Sequence, residues 1–476
     1  MDSEPLFGTL LLLLWKNVTI VRHPVWIFRV LGAISYLWQG PEMLRKAYMK
    51  GVPFAVRTPE TYYVHLSSQM HIKELTEASD KYMSLHALSK DKVTIIKNCV
   101  VPIDYNFANN VRQMFQPKYT MDGLEVDDRM SANGSIHSLA LQINLRANLL
   151  RLQSPVQERI AALFTEELKS ASLNPDGWKS LQTFPVAKRL VTAANSLVFF
   201  GKELSYDTEF LKAALDYPED LMVTAEALRF IPVYFAPFAA RYLMRGYKAS
   251  RTLVERLTPV VEERLVSSDN IQKPADCIQF FIDASLKQRA GEKPWTAQKI
   301  VQVLLGVWFA AVHQPAMCLV YALDDLCVQG RKCPQYIDQL RTDVKDAVLM
   351  EGDAFDVDKI PSLDSFLKES ARLKPTDSIS VRRKVLQPFT FSNGTRLMKD
   401  DVACVPLQCI LTDPSIYQDP LKFDPYRFMR ANSNNNSEDE EAKIRAKQEA
   451  KPLPRNPRFT DTSTQYPLWG LGKHAW

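Results

Sequence analysis

The sequence predicts a mainly α-helical protein with small β-sheets, an α+β class, and three patterns carry this prediction. Helical hydrophobic periodicity dominates residues 154–173, 186–200 and 210–247. An apolar run at 300–326 contains polar side chains, which favours a long helix in a protein core over a membrane span. Short alternating stretches within 386–406 flank an Asn-Gly pair, which predicts a β-hairpin.

The N-terminal residues 1–39 are predicted to be a membrane-anchoring or interfacial segment. A ten-residue apolar run, 6–15, is shorter than the ~20 residues that span a bilayer, and a second run, 25–38, contains Arg29. A weak signal anchor, two interfacial segments and one amphipathic helix all fit this pattern. Residues 40–476 then form one large predicted domain, beginning with a short helix and two strands.

Two later segments are predicted to lie outside regular core structure. Prolines at 232 and 237 interrupt an aromatic-rich stretch, 228–238, which fits either a substrate lid that dips into a membrane or a packed loop between helices. Residues 432–451 are polar, of low complexity and segregated in charge, so we expect a flexible surface insertion.

The composition limits the classes of partner. A net charge of +5 on 476 residues is mild, so it does not indicate a nucleic-acid partner, although it suits an anionic membrane or an acidic electron donor. None of the seven cysteines forms a Cys-x-x-Cys pair or a metal-ligand spacing, which indicates a reducing compartment.

A Glu-x-x-Arg pattern occurs at Glu369 and Arg372. Residues three apart share a face of a helix, so these side chains can form a charge pair, which by itself is usually solvated. Further along, Arg427 lies in the sequence Phe-Asp-Pro-Tyr-Arg-Phe. A carboxylate that accepts bonds from two guanidinium groups makes a buried ionic cluster tolerable.

The apolar run contains a proline with a local consequence. Pro315 cannot donate a hydrogen bond to the carbonyl of Ala311, which is expected to be free. With Ala310, His313 and Gln314, this carbonyl could line a groove that holds dioxygen and water and relays protons. Alternatively, His313 is a hydrogen-bonded core residue and Pro315 only kinks the helix.

The sequence after Pro467 includes Trp469, Gly470, Gly472, His474 and Trp476 in the text Trp-Gly-Leu-Gly-Lys-His-Ala-Trp. It resembles the haem-binding loop of the cytochrome P-450 monooxygenases, aromatic-Gly-x-Gly-x-(His/Arg)-x-Cys. The iron-ligating cysteine of that loop falls on Trp476, whose indole offers no lone pair. We expect about 50 further residues in family members, and either a degenerate relative or a misread exon boundary would explain their absence here.

The resemblance implies heme b as cofactor and assigns roles by position. It implies a structural triad of Glu369, Arg372 and Arg427, and a catalytic groove formed by Ala310, Ala311, His313 and Gln314. Cofactor-binding positions would be Arg382, Arg383, Trp469, Gly470, Gly472 and His474. Arg382 and Arg383 are equally well read as two solvent-facing cations.

The resemblance also implies an activity. It indicates a monooxygenase that oxidises a bulky hydrophobic small molecule with electrons from an NADPH-cytochrome reductase, on the cytosolic side of the endoplasmic reticulum membrane and as a monomer. Similarity to fungal members related to ent-kaurene oxidase suggests a terpenoid-type substrate. The rival interpretation is a catalytically inactive relative that acts as a binding or scaffold protein.

Overall fold

The computed structural model describes residues 39–57, 62–85, 136, 138–228, 235–266, 273–286, 295–351, 360–429, 458–472 and 475. These residues are mostly helical with small sheets, which confirms the predicted fold class. The chain separates into two compact units, Met1–Leu88 with Pro361–Trp476, and Ser89–Ile360. Apart from Gln39, the predicted segment 1–39 lies outside the described residues, as does the insertion 432–451.

The first unit is built on a five-stranded mixed sheet. The elements of this unit are α1 (39–48), β1 (Phe54–Arg57), β2 (Tyr62–His65), α2 (Gln69–Glu77), β3 (Met83–Ser84), and, in its second part, α12 (Pro361–Leu373), β6 (Ser380–Val385), β7 (Phe389–Thr390), β8 (Arg396–Leu397), β9 (Val402–Val405) and α13 (Leu407–Leu411). The strand order of the sheet is β1-β2-β9-β6-β3, in which only β2 and β9 are parallel. A separate hairpin, β7 with β8, turns at Gly394, whose φ is +83°, so the Asn-Gly prediction is confirmed.

The described residues of the second unit are mostly helical. Its elements are a π-helix (Ser138–Leu145), α3 (Arg146–Ser170), β4 (Ser172–Leu173), β5 (Lys179–Ser180), α4 (Thr183–Phe200), α5 (Lys202–Tyr206), α6 (Thr208–Leu228), α7 (Ala236–Leu243), a 3₁₀ turn (Arg245–Tyr247), α8 (Lys248–Val266), α9 (Cys277–Leu286), α10 (Ala297–Lys332) and α11 (Pro334–Glu351). The described parts of the stretch 210–247 form α6, α7 and the 3₁₀ turn, and residues 229–234 of the predicted lid or loop lie outside the described residues.

The long apolar run becomes α10, the central helix of the second unit. Its N-cap Thr296 accepts a hydrogen bond from the Lys299 amide, and the helix continues through Pro315 to Lys332. Trp308 is fully buried on it, and its indole donates to the carbonyl of Ala214 at 2.8 Å. By length and composition α10 could cross a membrane. Its buried residues, Trp308 among them, belong to the hydrophobic core of the second unit, as expected for a core helix.

Candidate functional site: a buried charge cluster, a glycine loop and a proline-containing helix

Glu369, Arg372 and Arg427 come together in the first unit. Arg372 Nε lies 2.7 Å from Glu369 Oε2, and Arg372 Nη2 lies 2.9 Å from Glu369 Oε1. Arg427 Nε donates to both carboxylate oxygens, each at 3.1 Å. One carboxylate therefore holds two guanidinium groups, one from its own helix and one from the segment that follows α13.

This cluster is buried, which makes its completeness important. The Glu369 and Arg372 side chains are 0% exposed, and the Arg427 side chain is 13% exposed. Arg372 Nη1 also donates to the carbonyls of Leu411 and Pro420, at 2.6 and 2.7 Å. Because a buried charge is tolerated only when its hydrogen bonds are satisfied, these carbonyls are part of the cluster.

Helix α12 makes further contacts that the sequence did not single out. The Ser365 hydroxyl donates to the Pro425 carbonyl at 2.7 Å, and the Asp364 carboxylate accepts from the Phe459 amide at 3.0 Å. With Lys368 these residues occupy one side of the helix at a spacing of three or four. That spacing was visible in the sequence, but a solvated polar face has the same pattern.

The glycine loop needs glycine for its backbone conformation. Gly470 has φ +81° and Gly472 has φ +64°, a region that disfavours side chains. A β-carbon on Gly472 would lie 3.5 Å from Thr76, which is ordinary contact, so strain rather than space excludes other residues. Leu471 is buried against the sheet of the first unit. His474 and Trp476 lie outside the described residues.

Trp469 fixes the start of this loop. Its indole nitrogen donates to the carbonyl of Phe459 at 3.1 Å, and the two rings meet edge to face with centroids 5.4 Å apart. The aromatic residue of the loop is thus tied to residues ten positions earlier in the chain. These two contacts fix Trp469, the residue that precedes Gly470.

The two candidate propionate ligands differ in environment. A positive φ at Val381 and a register shift between Ser380 and Arg383 place a bulge in β6 just before them. Arg382 is partly exposed and lies 3.5 Å from the Asp377 carboxylate. Arg383 is 4% exposed, and burial lowers its pKa to about 10, with Asp80 opposing the shift. Arg383 is the more buried of the two, so an anion bound beside it would offset a larger desolvation cost.

The prediction that Ala311 has a free carbonyl is wrong. The side-chain amide of Asn195, on α4, donates to the Ala311 oxygen at 2.5 Å. Pro315 removes the backbone donor that would normally satisfy this oxygen, and Asn195 replaces it from a neighbouring helix. No local signal in the sequence pairs residues 116 positions apart. The proposed groove must therefore be built without a bare carbonyl at this position.

His313 is half-buried beside an ion pair. Lys188 Nζ and Glu219 Oε2 lie 3.0 Å apart on neighbouring helices. Burial lowers the pKa of His313, with Glu219 acting to raise it and Lys188 to lower it. Within the described part of the chain, its Nε2 atom is buried without a hydrogen-bond partner. Ala310 and Gln314 are half-buried beside it. A neutral imidazole in this position can accept or donate a proton.

Comparison with known proteins identifies the class. A family model described as cytochrome P450 matches residues 139–442, more than half of the chain. The chain belongs to the cytochrome P450 family. Two solved P450 structures, a retinoic-acid-bound cyanobacterial protein and a progesterone-bound zebrafish protein, have TM-scores of 0.58 and 0.56 at 16% and 17% identity. Each covers 93% or 82% of this chain and is itself covered over 84%.

Curated fungal relatives are more similar in sequence. A P450 monooxygenase of Penicillium canescens is 29% identical over 63% of this chain, and one of Penicillium janthinellum is 27% identical over 70%. These alignments span 56% and 65% of the relatives' own lengths. An ent-kaurene oxidase of Gibberella fujikuroi is 26% identical over 87% of this chain and 75% of its own length.

Proposed function

We propose that this protein is a haem-dependent monooxygenase that hydroxylates or oxidises a bulky hydrophobic small molecule. The observation that carries the proposal is the complete Glu369–Arg372–Arg427 cluster in a chain of the cytochrome P450 family. The structural role of this cluster would be to hold the segments around the glycine loop in place. The overall reaction consumes dioxygen, two electrons and two protons, and gives a hydroxylated product and water.

A terpenoid-type substrate is the favoured class. The support is similarity to an ent-kaurene oxidase over most of the chain, together with fungal P450 relatives.

Heme is the cofactor of the family, and when bound it supplies the activation of dioxygen. The residues fit its periphery: two positive-φ glycines allow close approach of the backbone, and Arg383 is a buried cation suited to a propionate. None of the described cysteines lies in the glycine loop, and position 476 is tryptophan, so we assign no iron ligand among the described residues.

On the proton side, the proposal uses His313 and Gln314. A His313 imidazole held neutral by burial could pass a proton, and the charges of Lys188 and Glu219, which lie 3.0 Å apart, act on its pKa. Asn195 would fix the helix backbone at Ala311 while this occurs.

The proposed setting is the cytosolic face of the endoplasmic reticulum membrane, with an NADPH-cytochrome reductase as electron donor. Phe235, Phe238 and Tyr242, at the start and along α7, are 65%, 72% and 84% exposed. Residues 227–254 contain five arginines or lysines and no aspartate or glutamate. Exposed aromatic rings beside cations suit an interface with anionic lipid.

The test is product analysis with the protein expressed from its spliced transcript. Co-expressed with an NADPH-dependent reductase and given a tricyclic or tetracyclic diterpene, it should yield products one oxygen atom heavier, detected by mass spectrometry. A His313→Ala variant should slow product formation while leaving the substrate-induced spectral shift. Haem-containing protein that neither binds nor oxidises any terpenoid tested would reject the substrate class.

A further inference from the structure

Lys368 is a buried lysine with neutral acceptors. It precedes Glu369 on α12 and is 3% exposed, which is uncommon for lysine. Its Nζ atom donates to the carbonyl of Arg458 at 2.9 Å and to that of Asp461 at 2.7 Å. Both acceptors belong to one short segment of chain. The ammonium therefore spans two points of a backbone turn.

Aromatic rings enclose the same ammonium. Nζ lies 4.3 Å from the centre of the Tyr466 ring and 5.4 Å from that of Phe428. The Tyr466 hydroxyl donates in turn to the backbone carbonyl of Lys368 at 3.0 Å. The Lys368 side chain thus binds residues 458 and 461 at the start of the segment 458–466, and Tyr466 at its end binds the Lys368 backbone.

Two carboxylates near this site accept hydrogen bonds from backbone amides of the same segment. The Asp364 carboxylate accepts from the Phe459 amide, and the Asp461 carboxylate accepts from the Arg458 amide at 2.9 Å. Both carboxylates act electrostatically in favour of the charged lysine. Each carboxylate therefore binds a backbone amide of the segment 458–466, the same segment that Lys368 contacts.

The segment leads directly into the glycine loop. The Trp469 indole bonds to the Phe459 carbonyl, and the Gly470 amide donates to the Pro467 carbonyl at 3.3 Å. A displacement of residues 458–461 would therefore be transmitted to Trp469. A short apolar side chain at position 368 would fill space without holding either carbonyl.

We propose that Lys368 is a positioning residue for the glycine loop, acting through residues 458–469. The buried triad fixes the neighbouring segment, 418–428, whereas Lys368 fixes the one that ends at the loop. The proposed function defines what the loop binds, and the positioning contact can be tested without any bound group.

The experiment is amide hydrogen exchange, followed by mass spectrometry, on the wild type, Lys368→Met and Lys46→Met. Lys46 is an exposed lysine on α1 of the same unit, 63% exposed, and serves as the matched control. Lys368→Met should accelerate exchange in 458–472 by about 10-fold, the loss of one or two hydrogen bonds, while β6 and β9 keep wild-type rates. Equal rates in both variants, or the same acceleration in β6 and β9, would overturn the proposal.

Two further variants separate a positioning role from general stabilisation. Lys368→Arg keeps a cation with several donors and should restore most of the protection of 458–472. Tyr466→Phe should add less to exchange in a Lys368→Met background than in the wild type, since the two contacts act on one segment. Additive effects would reject the coupling. Exchange is measured on the full chain as purified, and failure of the monooxygenase proposal would show separately, as absent haem binding in the wild type.

Discussion

The first unit contains two Glu-x-x-Arg pairs of nearly identical local geometry and opposite environment. On α1, Arg45 donates to both Glu42 oxygens at 3.0 Å, with side chains 67% and 48% exposed. On α12, Arg372 donates to both Glu369 oxygens at 2.7 and 2.9 Å, with neither side chain exposed. The same four-residue pattern thus forms a surface pair and the centre of a buried cluster.

The difference lies in partners that are distant in sequence. Glu369 also accepts from Arg427, and Arg372 donates to the carbonyls of Leu411 and Pro420. The α1 pair is exposed to solvent, with Lys46 of the same helix 3.5 Å from Glu42, and exposed ion pairs contribute little. The motif specifies the pair, and the segments that follow α13 specify its burial.

The largest expected effect comes from breaking the buried pair. Glu369→Gln leaves two guanidinium groups without a carboxylate, and we expect a loss of about 3–5 kcal/mol in the free energy of unfolding. Glu42→Gln, at the matched surface position, should leave the urea midpoint unchanged. Equal midpoint shifts in the two variants would show that burial of the pair has no energetic consequence.

Arg427→Lys tests whether the third residue acts by charge or by geometry. Arg427 also donates to the carbonyls of Gln418 and Lys422, at 2.6 and 3.0 Å. A lysine keeps the charge but cannot make this fan of planar bonds, so we expect a loss of about 2–3 kcal/mol. Urea unfolding measures it, with Arg45→Lys as control. A loss indistinguishable from that of the control would mean that charge alone suffices.

These contrasts define what could be predicted from the sequence. Helix periodicity gave the helices, because their amphipathic spacing is local, and Asn393-Gly394 gave a hairpin by the same kind of reasoning. The meeting of Glu369 with Arg372 was local, but the position of Arg427 depended on resemblance to a family. Asn195 and Lys368 were missed, since an asparagine or lysine at helical spacing has the same pattern when it is solvated.

In the second unit, the uncharged side chain of Asn195 satisfies a backbone group of another helix. Asn195→Leu removes the donor to Ala311 and should cost about 2 kcal/mol, because Pro315 leaves that oxygen without a backbone donor. In a Pro315→Ala background the backbone amide returns, and the same substitution should cost much less. Asn148→Leu, whose amide bonds within its own helix, is the control.

Urea unfolding of the four Asn195 and Pro315 combinations gives the coupling directly. Independent, additive costs would show that the Asn195 amide does not replace the missing donor. A positive coupling would show that the Asn195 amide compensates for the backbone donor that Pro315 removes.

The smallest effect is a pH dependence that separates the two lysines next to the Glu-x-x-Arg pairs. Burial lowers the pKa of Lys368 to about 8, with Asp461 and Asp364 opposing the shift, whereas an unfolded lysine titrates near 10.4. Between these values the unfolded chain binds a proton that the folded chain does not, so the free energy of unfolding rises with pH. Relative to Lys368→Met, the wild type should gain about 1–2 kcal/mol from pH 8 to 10.5. Lys46→Met, at a largely exposed position of the same unit, is the matched variant for the same measurement. A flat or falling difference for Lys368→Met would mean that the ammonium is not desolvated, and the two lysines would then be equivalent despite their positions.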